Sequence, residues 1–308
     1  MTNNIDNNYL ERALSSCKLC ARACGVNRLK GELGFCKSSE KLRVSRAALH
    51  FWEEPCLSGT AGSGTVFFSS CNLGCVYCQN HEISTLGKGK EITIERLSEI
   101  FLELQEKGAL NINLVTPTHY IPQIIEGIKL AKASGLKLPI VYNTGGYDSV
   151  EGIKALEGYI DIYLPDIKYF DDRYAIKYSK AKSYFKTASL ALEEMVRQVG
   201  KPSFNGEGIM ERGVIVRHMM LPGLLFDTKK VLDYLYKSYG DSIYISIMNQ
   251  YTPQAGSSLY KEISQPLNPL HYEAIVEYAL EIGIKNAFIQ EEGTASESFI
   301  PPFNGDGV

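Results

Sequence analysis

The sequence predicts an α/β protein, a partial (βα)6 TIM-like barrel preceded by a small cysteine-rich metal-binding segment. Three observations carry this expectation. Six apolar, strand-like runs alternate with amphipathic helical stretches from residue 64 onward. Each run ends in polar residues, at the rim where barrels place their chemistry. A compact run of three cysteines follows the first strand directly, which selects a barrel over a doubly wound sheet of similar pattern.

The elements follow in order. Residues 15–39 hold Cys17, Cys20, Cys24 and Cys36, with Gly25, Gly31 and Gly34 supplying tight turns. The segment is too short and too poor in apolar residues for a core of its own, so a metal is its expected staple. Four thiolates suffice either for a zinc tetrahedron or for a second four-iron cluster, and spacing alone does not separate the two. Strands are expected at 65–69, 111–116, 138–143, 160–167, 213–219 and 242–248. Their helices are expected at 93–107, 120–133, 149–156, 184–198, 228–239 and 271–282. In the first of these, Ile94, Leu97, Ile100, Phe101 and Leu104 recur at helical spacing. The division expected is a cysteine-rich segment at 1–60, a barrel at 61–295 and a tail at 296–308. The tail, opened by an apolar run near Phe288, should add a short strand or closing loop.

Composition narrows the function. Net charge is −3 and no basic stretch exceeds a few residues, which argues against a nucleic-acid groove. The N-terminus lacks an apolar signal core and no stretch is long enough to span a bilayer, so a soluble, cytoplasmic protein is expected, with no membrane partner. Eight cysteines without a secretion signal then read as metal ligands rather than disulfides. Gly59 to Thr65 is glycine-rich but lacks the Gly-Lys-Ser/Thr ending of a phosphate loop and precedes a strand. It is better suited to letting the backbone approach the cysteine loop.

Cys71, Cys75 and Cys78 form a C-x3-C-x-aromatic-C pattern. A triple at this spacing should arise by chance on the order of 0.005 times in such a chain. Iron–sulfur clusters normally take four Cys, so a triad set apart from the other cysteines leaves one iron open to a substrate or cofactor. A zinc knuckle would need a fourth ligand such as His81. The run resembles the signature of the radical S-adenosylmethionine (SAM) superfamily, in which Tyr77 would pack near the SAM adenine and Asn80 would lie beside it. That resemblance implies a [4Fe-4S] cluster that splits SAM to methionine and a 5′-deoxyadenosyl radical, which takes hydrogen from a substrate. It also implies an electron donor such as flavodoxin or ferredoxin, and a protein, peptide or small-molecule substrate.

The D-x4-D-x-K run at 161–168 and the R-H-x3-P-G run at 217–223 narrow the resemblance to pyruvate formate-lyase activating enzymes. The C-x-L-C-x3-C-G-V-N-R run and the E-E-P-x-L-S-G-x2-G-S-G-T run are similar to PflX-type relatives of those activases. By this resemblance Asp166 and Lys168 sit beside the SAM ribose and carboxylate, and Arg217 contacts SAM or substrate. Where activases carry Gly-Gly-Glu, this chain has Thr116-Pro117-Thr118, whose carbonyls and hydroxyls can accept from an ammonium. Asn143, Thr144, Met248 and Asn249 complete the expected cofactor contacts at strand ends. His119 and His218 are the candidate acids or bases. His50 and His271 are expected to be structural, and Cys56 a small buried apolar residue.

Overall fold

The computed structural model describes residues 9–290 and 300–308. The expected boundary between residues 295 and 296 lies outside the described residues. Ten strands form one sheet: β1 (Leu42–His50), β2 (Ser63–Phe68), β3 (Lys90–Ile92), β4 (Ile112–Val115), β5 (Ile140–Thr144), β6 (Ile162–Pro165), β7 (Ser203–Phe204), β8 (Met210–Met219), β9 (Tyr244–Met248) and β10 (Ala287–Ile289). The order is β10-β9-β8-β6-β5-β4-β2-β1-β3, with β7 paired to β8 off this path. All steps from β2 to β10 are parallel, while β1, β3 and β7 join antiparallel. The two ends of the order are β10 and β3, so the sheet is an open, partial barrel.

The six expected strands are β2, β4, β5, β6, β8 and β9, and the expected strand near the tail is β10. Their continuous apolar runs arise because a parallel sheet is covered on both faces: every residue of β2 and of β6 is buried. The helices are α1 (Tyr9–Ser15), α2 (Pro55–Ser58), α3 (His81–Ser84), α4 (Ile94–Glu106), α5 (Ile121–Ala133), α6 (Val150–Ala155), α7 (Asp172–Ser179), α8 (Tyr184–Val199), α9 (Leu225–Tyr239) and α10 (Pro269–Glu281). The Thr93 side chain caps α4 by accepting from the Arg96 amide, and Leu97, Ile100, Phe101 and Leu104 bury its inner face. Helices α4, α5, α6, α8, α9 and α10 lie between successive parallel strands, so all six strand ends meet at one rim.

Strand β1 has no counterpart among the strands expected from the sequence. It pairs with β2 from Val44 to His50 and with β3 from Leu42 to Val44. A register shift between Val44 and Arg46 breaks its alternation, which is why residues 42–50 do not read as a strand. Among the described residues, no helix is long and apolar enough to cross a membrane.

Candidate metal and cofactor site

The loop after β2 places the triad. Ser70 takes a left-handed conformation (φ 77°), as does Thr116 (φ 58°) after the neighbouring β4. Non-glycine residues held this way are costly and collect at functional sites. Both line a rim cavity of about 260 Å³, with all three triad cysteines on its wall. Cys75 Sγ lies 3.0 Å from Ser179 Oγ, and Cys78 Sγ 3.2 Å from Ser84 Oγ. The Cys71 sulfur accepts from the Leu73 amide at 3.4 Å.

Three soft thiols on one wall suit iron–sulfur ligation. Among the described residues no three His, Cys, Asp or Glu side chains converge tightly enough to hold a single ion. A triad that gives one thiolate to each of three irons does not require them to. Burial pushes the Cys71 thiol up, with further repulsion from Cys75.

Lys168 and Asp166 face the same cavity and pair at 2.5 Å. Burial works against the Lys168 charge, but Asp166 together with Cys75 and Tyr184 outweighs it and holds the ammonium well above its ordinary range. The Tyr184 hydroxyl accepts from the Lys168 amide at 3.0 Å and lies 2.9 Å from both the Gly145 and Asp166 carbonyls. Gly146 permits this closeness: at φ 78°, a Cβ there would come within 2.2 Å of the Asp166 carbonyl oxygen.

Arg217 lines the cavity and pairs with two acid partners. Its Nε and Nη2 donate to Glu54 at 2.8 Å each, and Nη2 also pairs with Glu53. Burial opposes this arginine's charge, yet both carboxylates hold it well above its ordinary value. The sequence left Glu53 and Glu54 undecided between cavity and solvent. Both are buried.

Tyr77, Asn80, Asn143, Thr144 and Met248 also line the cavity. The Tyr77 hydroxyl is 2.6 Å from that of Tyr169. Four expected site residues do not line it. The Thr118 hydroxyl donates to buried Asp148 at 2.7 Å, as do Thr144 at 2.7 Å and Tyr142 at 2.9 Å. The Asn249 amide donates to Gln290. His218 donates through Nδ1 to the Ile167 carbonyl at 2.6 Å and accepts at Nε2 from Thr228, and burial lowers its pKa to about 4. His119 is buried behind the triad loop, donating through Nε2 to the Ser69 carbonyl at 2.8 Å, and burial lowers its pKa to about 3.

Sequence reasoning missed the wall formed by His50, Trp52, Ile300 and Pro301. No local pattern marks these residues, because tertiary approach alone brings them to the rim. Cys17, Cys20, Cys24 and Cys36 surround a separate, narrow pocket. Burial there pushes the Cys20 thiol up to about 12. Cys56 is buried, as expected of a small apolar residue.

The profile of the Radical SAM superfamily matches residues 65–235, more than half of the chain. The chain belongs to the radical SAM superfamily. This radical SAM protein is 31% identical over 280 residues to the uncharacterized protein MJ0674 of Methanocaldococcus jannaschii, covering 88% of this chain and 75% of that one. It is 31% identical over 116 residues to the pyruvate formate-lyase-activating enzyme of Clostridium pasteurianum, covering 35% of this chain and 46% of that enzyme. The fold matches the crystal structure of Streptococcus suis SuiB bound to S-adenosylmethionine, with a TM-score of 0.50 and 13% identity. That match covers 73% of this chain, which spans about half (49%) of SuiB. The superfamily uses a [4Fe-4S] cluster and SAM, and membership makes the chain an enzyme.

Proposed function

We propose that the chain cleaves SAM reductively at a cluster held by Cys71, Cys75 and Cys78 and uses the products for hydrogen abstraction. The observation that carries this reading is the triad sharing one rim cavity with the Asp166–Lys168 pair. Cys71, Cys75 and Cys78 would hold the cluster, and the chemistry it would supply is one-electron reductive cleavage of SAM, the electron coming from an external donor such as flavodoxin or ferredoxin. The protein positions and shields. Lys168 offers a fixed cation to the SAM carboxylate, Asp166 accepts from ribose hydroxyls, and Tyr77 gives the adenine an aromatic wall. His218, on β8, ties the chain just after β6 to α9 through its hydrogen bonds to Ile167 and Thr228.

The partial likeness to an activating enzyme supports a protein glycine as hydrogen donor. Ile300 and Pro301 support a second reading, because this tail wall encloses part of the triad's cavity and suits a small molecule or short peptide. Anaerobically reconstituted and reduced protein should convert SAM to 5′-deoxyadenosine, read by mass spectrometry. Its absence in protein with a full complement of iron would overturn the proposal.

Lys168→Ala should weaken SAM binding by about 1.5–3 kcal/mol, roughly 10- to 150-fold, through loss of a charge-assisted contact. Iron content should stay constant. Identical binding isotherms for variant and parent would remove Lys168 from the SAM site.

A further inference from the structure

We propose that His119 and the four N-terminal cysteines form a second metal centre, seated behind the triad loop and independent of SAM cleavage. Cys17, Cys20, Cys24, Cys36, Arg28 and His119 line one narrow pocket of about 20 Å³. His119 lies far from the cysteines in the chain, yet it lines the same pocket.

The imidazole is set for ligation by its hydrogen bond. A carbonyl only accepts, so the Ser69 oxygen 2.8 Å away fixes the proton on Nε2. Nδ1 then carries a free lone pair. It is buried and has no hydrogen-bond partner, on a side chain only 2% exposed. A backbone carbonyl orienting the far nitrogen is the usual support of a metal-bound histidine.

Arg28 supplies an independent observation. Its side chain is 1% exposed, and among the described residues no carboxylate pairs with it. It donates to the carbonyls of Ser39 and His119, which carry no net charge. A buried cation needs a counter-charge. Thiolates bound to a divalent metal or iron cluster bring net negative charge to this pocket.

The four thiols and one nitrogen exceed the four ligands of zinc, so a single ion would take four of the five. Because no three of them yet converge tightly enough for one ion, binding would turn the cysteine side chains inward about Cα–Cβ. A four-iron cluster would span a wider spacing. Either occupant is a thiolate-rich centre, and metal analysis separates them. The site also grips the catalytic loop from behind: Arg22, between Cys20 and Cys24, donates to the Asn72 carbonyl at 2.8 Å, and His119 holds Ser69.

The test uses the full chain with Cys71, Cys75 and Cys78 all changed to Ala, so that SAM chemistry plays no part. Purified without oxygen, it should retain about one zinc or about four irons per chain. Adding His119→Ala should lower that content or shift the centre's spectrum: the visible bands of a cobalt-substituted zinc site, or the paramagnetic resonance of a reduced cluster. Where that variant does not fold, His119→Cys should keep the metal and shift the same spectrum. A triad-free chain with no stoichiometric metal, or spectra unmoved by either His119 change, would overturn the proposal.

Discussion

Changing Cys71, Cys75 and Cys78 together to Ala should abolish 5′-deoxyadenosine formation and remove about four irons per chain. Superfamily membership and the shared cavity wall lead to this expectation. The fold should survive. The triad sulfurs face a cavity, and their neighbours Ser179 and Ser84 can turn to water when the thiols are gone. Far-UV circular dichroism should therefore match the parent while the visible absorption contributed by the triad's four irons is lost. Undiminished SAM cleavage in the triple variant would remove the basis of the proposed function.

The second large effect concerns stability. Arg217→Met should cost about 3–5 kcal/mol in chemical unfolding, because it strands two buried carboxylates beside each other. Changing Glu53 and Glu54 to Gln in the same chain should restore much of the loss. The pH dependence has a definite sign. Burial raises the Glu54 pKa, but Arg217 outweighs it, so the folded value lies below the ordinary 4.5. Its contribution is complete above 4.5 and is lost as pH falls toward the depressed value. Without Arg217, burial alone acts on Glu54 and raises its pKa, so the stability gap between parent and Arg217→Met should narrow as pH falls through 4.5, and a gap unchanged by acid would contradict this account.

The parallel strands were legible because both faces of that sheet are covered, so β2, β4, β5 and β6 read as short, mostly apolar runs rather than as alternating ones. The triad was legible because its ligands are local in sequence. Arg217 was seen as a rim residue, but its partners are more than 160 positions earlier, and an ion pair of that separation leaves no periodic trace. Asp148 was missed for a related reason. Its three hydroxyl donors come from β5 and the turn after β4, and only the folded sheet collects them around one carboxylate. His119 illustrates the limit of rim reasoning: it follows a strand end, yet its side chain passes behind the loop rather than into the cavity.

The last residues of the chain serve two surfaces at once. Ile300 and Pro301 wall the cavity, Phe303 packs on Phe67, and the Gly305 amide and Asp306 carbonyl bond to Ser45 and Ala47 along β1 where β3 has ended. Lys90 reaches the Gly305 and Val308 carbonyls and Arg46 pairs with Asp306. A protease or a bulky fusion that lifted this strap would widen access to the triad and in the same movement bare a strand edge able to pair with another molecule. Admission of a large partner and resistance to aggregation thus pull on the same nine residues in opposite directions.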